Sequence, residues 1–161
     1  MSIEAGRAFF RAHGIEDRIQ EFSVSSATVE LAALALGVAP ERIAKTLSFK
    51  IGDDAILIVA AGDARIDQKK YKAQFHTKAK MLSLEEVEET IGHDVGGVCP
   101  FGINEGVEVY LDESLRRFET VFPACGSSNS AIELTIPELE KYSKSKEWID
   151  VCKNWQEETE S

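Results

Sequence analysis

The chain has 161 residues, 43% of them hydrophobic and 29% charged, and a formal net charge of −10. That length and balance fit one globular domain with a substantial core. They exclude a bilayer-spanning segment, since no apolar run is long enough; the acidic balance, taken alone, counts against a nucleic-acid binder, and DNA is not an expected partner.

Met1–Ala5 shows no secretory leader, and the cysteines, Cys99, Cys125 and Cys152, are odd in number and far apart. A disulfide framework is not expected, and a reducing cytoplasm is the expected setting. His13, His76 and His93 are scattered, and no Cys-x-x-Cys pair occurs, so a structural zinc site is not expected. No cofactor is expected.

In chain order, residues 3–13 predict a helix with Ile3, Phe9 and Phe10 on one side and Gly14 as its stop. Ile19–Phe22 reads as a short strand. Thr28 is placed to cap an alanine-rich helix over 29–36 that ends at Gly37. After a helical turn at 40–44, two strands, Thr46–Ile51 and Ala55–Ala60, flank Gly52-Asp53-Asp54, a hairpin turn composition. The second strand is apolar on both faces and is expected at the sheet centre. Asp67 caps a helix through Phe75, and Ser83-Leu84-Glu85-Glu86 reads as a capping box for a helix ended by Gly92. Strands at 107–111, 120–122 and 131–135 follow, with a helical turn over 112–118. A helix opened by Pro137 and a strand over 148–151 complete the chain. Hairpins and helices mix without strict alternation, so the fold class is mixed α+β, not a doubly wound parallel sheet. The expected domain is 1–155, followed by an acidic tail, 156–161.

Two features carry chemistry. Gly96-Gly97-Val98-Cys99-Pro100-Phe101-Gly102 combines a double glycine with a proline, so its amides can approach a ligand closely. Lys45 stands alone at the start of an apolar strand. It reads as a cation for a phosphate or ester oxygen, or as a surface lysine at a strand end. Cys99 has no activating partner nearby in sequence and fits a pocket-lining role better than a nucleophile. Asp63 and Asp67 are explained by a turn and a helix cap. Gly126, Ser127 and Ser128 read equally as a second donor loop or a plain turn. Residues 65–80 hold six basic side chains against one acidic, which reads as a solvated helix face or a small phosphate-contacting patch.

Four segments taken together resemble the YbaK/EbsC family of aminoacyl-tRNA editing domains, related to the insertion domain of bacterial prolyl-tRNA synthetases. They are Thr28–Val38, Arg42–Leu47 around Lys45, Ala61-Gly62-Asp63-Ala64-Arg65-Ile66-Asp67, and the Gly-x-x-x-Pro run from Gly96 to Pro100. The resemblance implies a barrel-like mixed sheet wrapped by helices. It also implies a free-standing, metal-independent cytoplasmic hydrolase acting on mischarged tRNA, with tRNA for proline as the expected carrier and prolyl-tRNA synthetase as a further partner. It assigns catalysis to Lys45, Gly96 and Gly97, a pocket lip to Phe22, Thr28 and Val29, and substrate contacts to Thr46, Val98, Cys99, Pro100 and Phe101. One departure stands out. Ala131 occupies a position that is acidic in the cysteine-specific deacylases, so a non-catalytic binding module of the same fold stays open beside the deacylase; the acidic overall charge keeps open a hydrolase for another small acyl ester.

Overall fold

In a computed structural model the structure describes residues 2–22, 28–91, 99–103, 106–125 and 129–153. The double-glycine segment through Val98, the loop 126–128, Gly92 and the acidic tail lie outside the described residues.

The hairpin at the centre follows from composition. Strands β2 (Ile43–Ile51) and β3 (Asp54–Ala61) pair antiparallel from Ala44↔Ala61 to Ile51↔Asp54. Leu57, Ile58, Val59, Ala60 and Ala61 are fully buried. A strand covered on both faces needs apolar residues at every position, and β3 has them from Ala55 onward. Between β1 (Ile19–Glu21) and the later strands, α1 (Ser2–Ala12) supplies Phe10, which is fully buried against Phe101.

The main sheet runs β8-β6-β2-β3-β5-β9, with β5 (Glu108–Asp112), β6 (Thr120–Pro123), β8 (Leu134–Thr135) and β9 (Glu147–Ile149) around the hairpin. β6 joins β2 in parallel, and β5 joins β3 in parallel, so the sheet is mixed and curls into a half-barrel. Two small pairings close it. β1 pairs with β7 (Ser130–Ile132), and β4 (Arg65–Ile66) pairs with β10 (Cys152–Lys153). The expected single strand at 131–135 is thus two strands. Ile132 pairs with Ile19 while Leu134 pairs with Val121, and the exposed Glu133 lies between the two pairings.

Side chains alternate between two cores. On one face Ala44, Leu57 and Val59 join Phe10, Cys99, Phe101 and Leu139. On the other, Phe49, Ile56 and Ile58 join Tyr71 of α3 (Gln68–Phe75) and Cys152. Local signals set the helix ends. Thr28 Oγ1 accepts from Leu31 N (3.1 Å) to start α2 (Val29–Leu36), and Gly37 ends it at φ 71°, a left-handed conformation that favours glycine. Ser83 and Glu86 form the expected capping box of α4 (Leu84–Glu86), which runs on as a π-helical turn over Val87–Ile91. Thr135 and Glu138 form another at α5 (Ile136–Ser143).

Candidate functional site

Lys45 sits near the N-terminal end of β2, opposite Ala60. Strand alternation places it on the face of Leu47 and Phe49, and the next residue, Thr46, on the face of Ala44 and Ser48. Lys45 and Thr46 therefore look to opposite sides of the sheet. The Lys45 ammonium donates to the main-chain carbonyl of Gly62 (3.4 Å) and to that of Ala64, both in the turn between β3 and β4. An ammonium has three donors, so one remains for a ligand oxygen.

A cleft of about 500 Å³ opens beside it, lined by Val29, Glu30, Lys45, Leu47, Asp63 and Arg65 among others. Burial lowers the Lys45 pKa below the ordinary lysine value; Arg65 pushes it the same way, while Asp63 and Glu30 pull it back. A partly desolvated cation next to a second cation gains when an anion enters, because the ligand repays the cost of burial.

The turn that holds Lys45 is fixed from several sides. Arg117 grips Asp63 with two parallel bonds, Nη1–Oδ2 at 3.0 Å and Nη2–Oδ1 at 2.5 Å. Gly62 has no room for a side chain: a Cβ there would lie 2.0 Å from the Pro40 carbonyl oxygen and 2.8 Å from Val29 Cγ1. Val29 at the start of α2 thus packs directly on the turn whose carbonyls hold the lysine. Beneath, the fully buried Asp112 accepts from Ser114 N and Val151 N, both at 2.9 Å, and Ser114 Oγ accepts from Ala61 N (3.1 Å). Asp67 caps α3 by accepting from Lys69 N (2.9 Å) and Lys70 N (3.3 Å).

The other expected residues distribute as follows. Val29 joins Lys45 in the cleft; Thr28 is exposed as the cap of α2. Thr46 Oγ1 is buried without a hydrogen-bond partner among the described residues. Phe22 continues the β1–β7 pairing: its N–H donates to Asn129 O (2.8 Å), and Asn129 Nδ2 donates to its carbonyl (3.0 Å). That places Phe22 beside the residue that follows Gly126, Ser127 and Ser128, which themselves lie outside the described residues, as do Gly96, Gly97 and Val98. Cys99 is fully buried, its thiol donates to Phe101 O (3.7 Å), and burial pushes its pKa up to about 12. A thiol so placed is protonated at neutral pH and is a poor nucleophile. Phe101 is a core ring between Phe9 and Phe10. Pro100 is buried and borders a second cleft, of about 670 Å³, with Phe9 and Tyr142.

Sequence reasoning missed Arg65 and Glu30 as cleft residues and the Arg117–Asp63 clamp. The Gly-Asp-x-Arg run held a signal for Arg65 and Asp63. Arg117, 54 positions away from Asp63, carried none.

Comparison with known proteins agrees with this architecture. The aminoacyl-tRNA editing domain profile matches residues 24–142. YwhH of Bacillus subtilis (strain 168), an uncharacterized protein, is 59% identical over 157 residues, covering 97% of this chain and 100% of that protein. The proline–tRNA ligase of Geobacillus sp. (strain WCH70) is 30% identical over 102 residues, which cover 63% of this chain and 18% of the ligase. A solved structure described as a candidate trans-editing enzyme for prolyl tRNA synthetase superposes with a TM-score of 0.84 at 27% identity, over 94% of this chain and 96% of that one. By the profile match across its central 24–142 stretch, this chain belongs to the aminoacyl-tRNA editing domain family.

Proposed function

We propose that this chain is a free-standing aminoacyl-tRNA deacylase that hydrolyses the ester of a mischarged tRNA, with tRNA for proline carrying a small wrong amino acid as the expected substrate. The observation that carries the proposal is the Lys45 ammonium, held by the carbonyls of Gly62 and Ala64 at a cleft that also presents Arg65. Two cations at one cleft suit the phosphates and ester of a tRNA 3′ end. The similarity to a candidate trans-editing enzyme and to proline–tRNA ligases supports the choice of tRNA.

An aminoacyl ester is already activated, so the reaction needs placement more than a strong nucleophile. Water adds to the carbonyl carbon, and the oxyanion that forms is stabilised by N–H donors. The bond to the ribose oxygen then breaks, and that oxygen takes the proton. Lys45 orients the tRNA terminus, and the amides of Gly96 and Gly97 are the donors assigned to the oxyanion. One methylene is worth only about 1–3 kcal/mol of discrimination, so the pocket rejects the cognate amino acid by shape.

Deacylation of a panel of mischarged tRNAs, by the wild type and by Lys45→Ala, tests the proposal. Release from one or two members of the panel, lost in Lys45→Ala with an unchanged melting curve, is the expected result. Failure to release any amino acid overturns it: binding without turnover then identifies a binding module, and turnover of small esters without tRNA identifies a different hydrolase.

A further inference from the structure

We infer that the lysines on and after α3 form a docking surface for the phosphate backbone of an RNA duplex, the acceptor stem of the tRNA whose 3′ end enters the Lys45 cleft. The identity of that RNA rests on the deacylase reading above.

The surface is built from cations that have no carboxylate partner among the described residues. Residues 65–80 hold six basic side chains and one acid in a chain of net charge −10. The one acid, Asp67, is committed to capping α3, and Lys70 is committed to Asp150 Oδ1 (3.1 Å) and to the Cys152 carbonyl (3.0 Å). The other five, Arg65, Lys69, Lys72, Lys78 and Lys80, are all exposed, and none has a carboxylate partner among the described residues. Elsewhere most of the cations are paired: Arg7, Arg11, Arg18, Arg42, Lys50, Arg116, Arg117 and Lys146 each hold a carboxylate. Lys69, Lys72 and Lys78, gathered around one groove, repel one another, and an extended polyanion removes that penalty while releasing its own counterions.

The backbone under these side chains is fixed. Lys69 and Lys72 are three positions apart on α3 and share a face. With Gln68 and Lys78 they line one groove of about 420 Å³. Gln68 Oε1 accepts from Ala79 N (3.1 Å), and Lys50 N donates to Lys80 O (2.8 Å), so the segment carrying Lys78 and Lys80 is tied to the helix and to β2. The groove is also next to the cleft. Arg65 and Ile66 line the cleft and Gln68 lines the groove, so two residues of chain, at most about 7 Å, separate them.

Chemistry favours RNA over an acidic protein. The groove residues are three lysines and a glutamine, with none of the aromatic or apolar anchors on which protein interfaces centre. Lysine is a point charge suited to phosphates along a backbone, and duplex RNA is recognised mainly through shape and phosphate contacts.

The test compares wild type with the triple variant Lys69→Gln, Lys72→Gln, Lys78→Gln and with a charge-keeping Lys→Arg triple variant, each checked by thermal melting. Binding of uncharged tRNA is measured against salt concentration. The Gln variant is expected to flatten the plot of log K against log salt by about 2–3, near one unit per lost phosphate contact. KM for charged tRNA is expected to rise about tenfold at low salt, while turnover of an aminoacylated oligonucleotide comprising only the 3′ terminus stays at the wild-type rate. The Arg variant is expected to keep wild-type binding.

An unchanged salt slope in the Gln variant overturns the docking surface even if deacylation is robust. Equal loss on the short oligonucleotide also overturns it, as does loss of binding to a synthetase with tRNA binding intact. A slope that falls as expected in a protein that hydrolyses no charged tRNA sustains the docking surface and sinks the deacylase reading instead.

Discussion

Arg117 and Asp63 meet through two parallel hydrogen bonds, and the acid so held is the middle residue of the turn whose flanking carbonyls hold Lys45. The clamp does two things. It fixes the turn, and it sets a positive charge against the acid that raises the pKa of Lys45. Arg117→Ala is expected to cost about 1 kcal/mol or less in urea unfolding, because the pair is partly exposed. Its effect on kcat/KM for charged tRNA should be larger, roughly ten- to a hundredfold, through a displaced lysine. The alkaline limb of the pH profile should also move up, a shift that simple loosening of the fold would not produce.

Gly62→Ala tests the contact between α2 and the same turn. The new methyl group would meet main-chain oxygen at 2.0 Å, and backbone cannot move aside as a flexible side chain can. We expect a loss of about 1–3 kcal/mol or more in urea unfolding. Ala at the exposed Gly37, whose Cβ would meet nothing within 4 Å but whose φ is positive, should cost about 1 kcal/mol through backbone strain alone.

The charge state of Lys45 gives a signed pH dependence. Its folded pKa lies below the ordinary lysine value because burial disfavours the ammonium. As pH rises from neutral through that folded value, the cation is lost earlier than from a free lysine, so KM for charged tRNA should rise on the alkaline side. Stability runs the other way. Between the folded and unfolded pKa values the unfolded chain binds more protons, so stability grows as pH rises through that window. Lys45→Met should remove both trends, read from KM and from urea midpoints across the alkaline range.

Tyr71 is fully buried between Phe49 and Phe75, and its hydroxyl has no hydrogen-bond partner among the described residues. Burial pushes its pKa up to about 12, so it stays neutral. Tyr71→Phe keeps the ring and removes the unsatisfied oxygen. The expected outcome is a gain of about 1 kcal/mol in urea unfolding, with deacylation unchanged.

Much of this was legible because it is local. Thr28 to Gly37, the Asp67 cap, the capping box at Ser83 and the β2–β3 hairpin each declare themselves within a few residues, where caps and turn chemistry act. The mixed α+β class and the half-barrel followed from those elements and from the family motifs. Pairing across long separations was not legible. Nothing near Glu133 announces that Ile132 pairs with β1 and Leu134 with β6, and β4 and β10, at two residues each, are too short to leave a periodic signal. The site divides the same way. Lys45 stood out beside its motif, but its grip on Gly62 and Ala64 depends on how β3 turns back. The strand period of two does imply that Lys45 and Thr46 face opposite ways.

The β4–β10 pairing lies partly beyond residue 142, where the family match stops. Val151 donates to Asp112 and accepts from Asp67 N, and the Cys152 carbonyl takes Lys70, so the last described residues act as a clasp over the β4–α3 junction. A fragment trimmed to residues 24–142 would keep every motif and still release Arg65, Asp67 and the lysine helix from their seat. The stretch that the family profile matches is thus shorter than the unit that has to be kept whole when this domain is excised or fused.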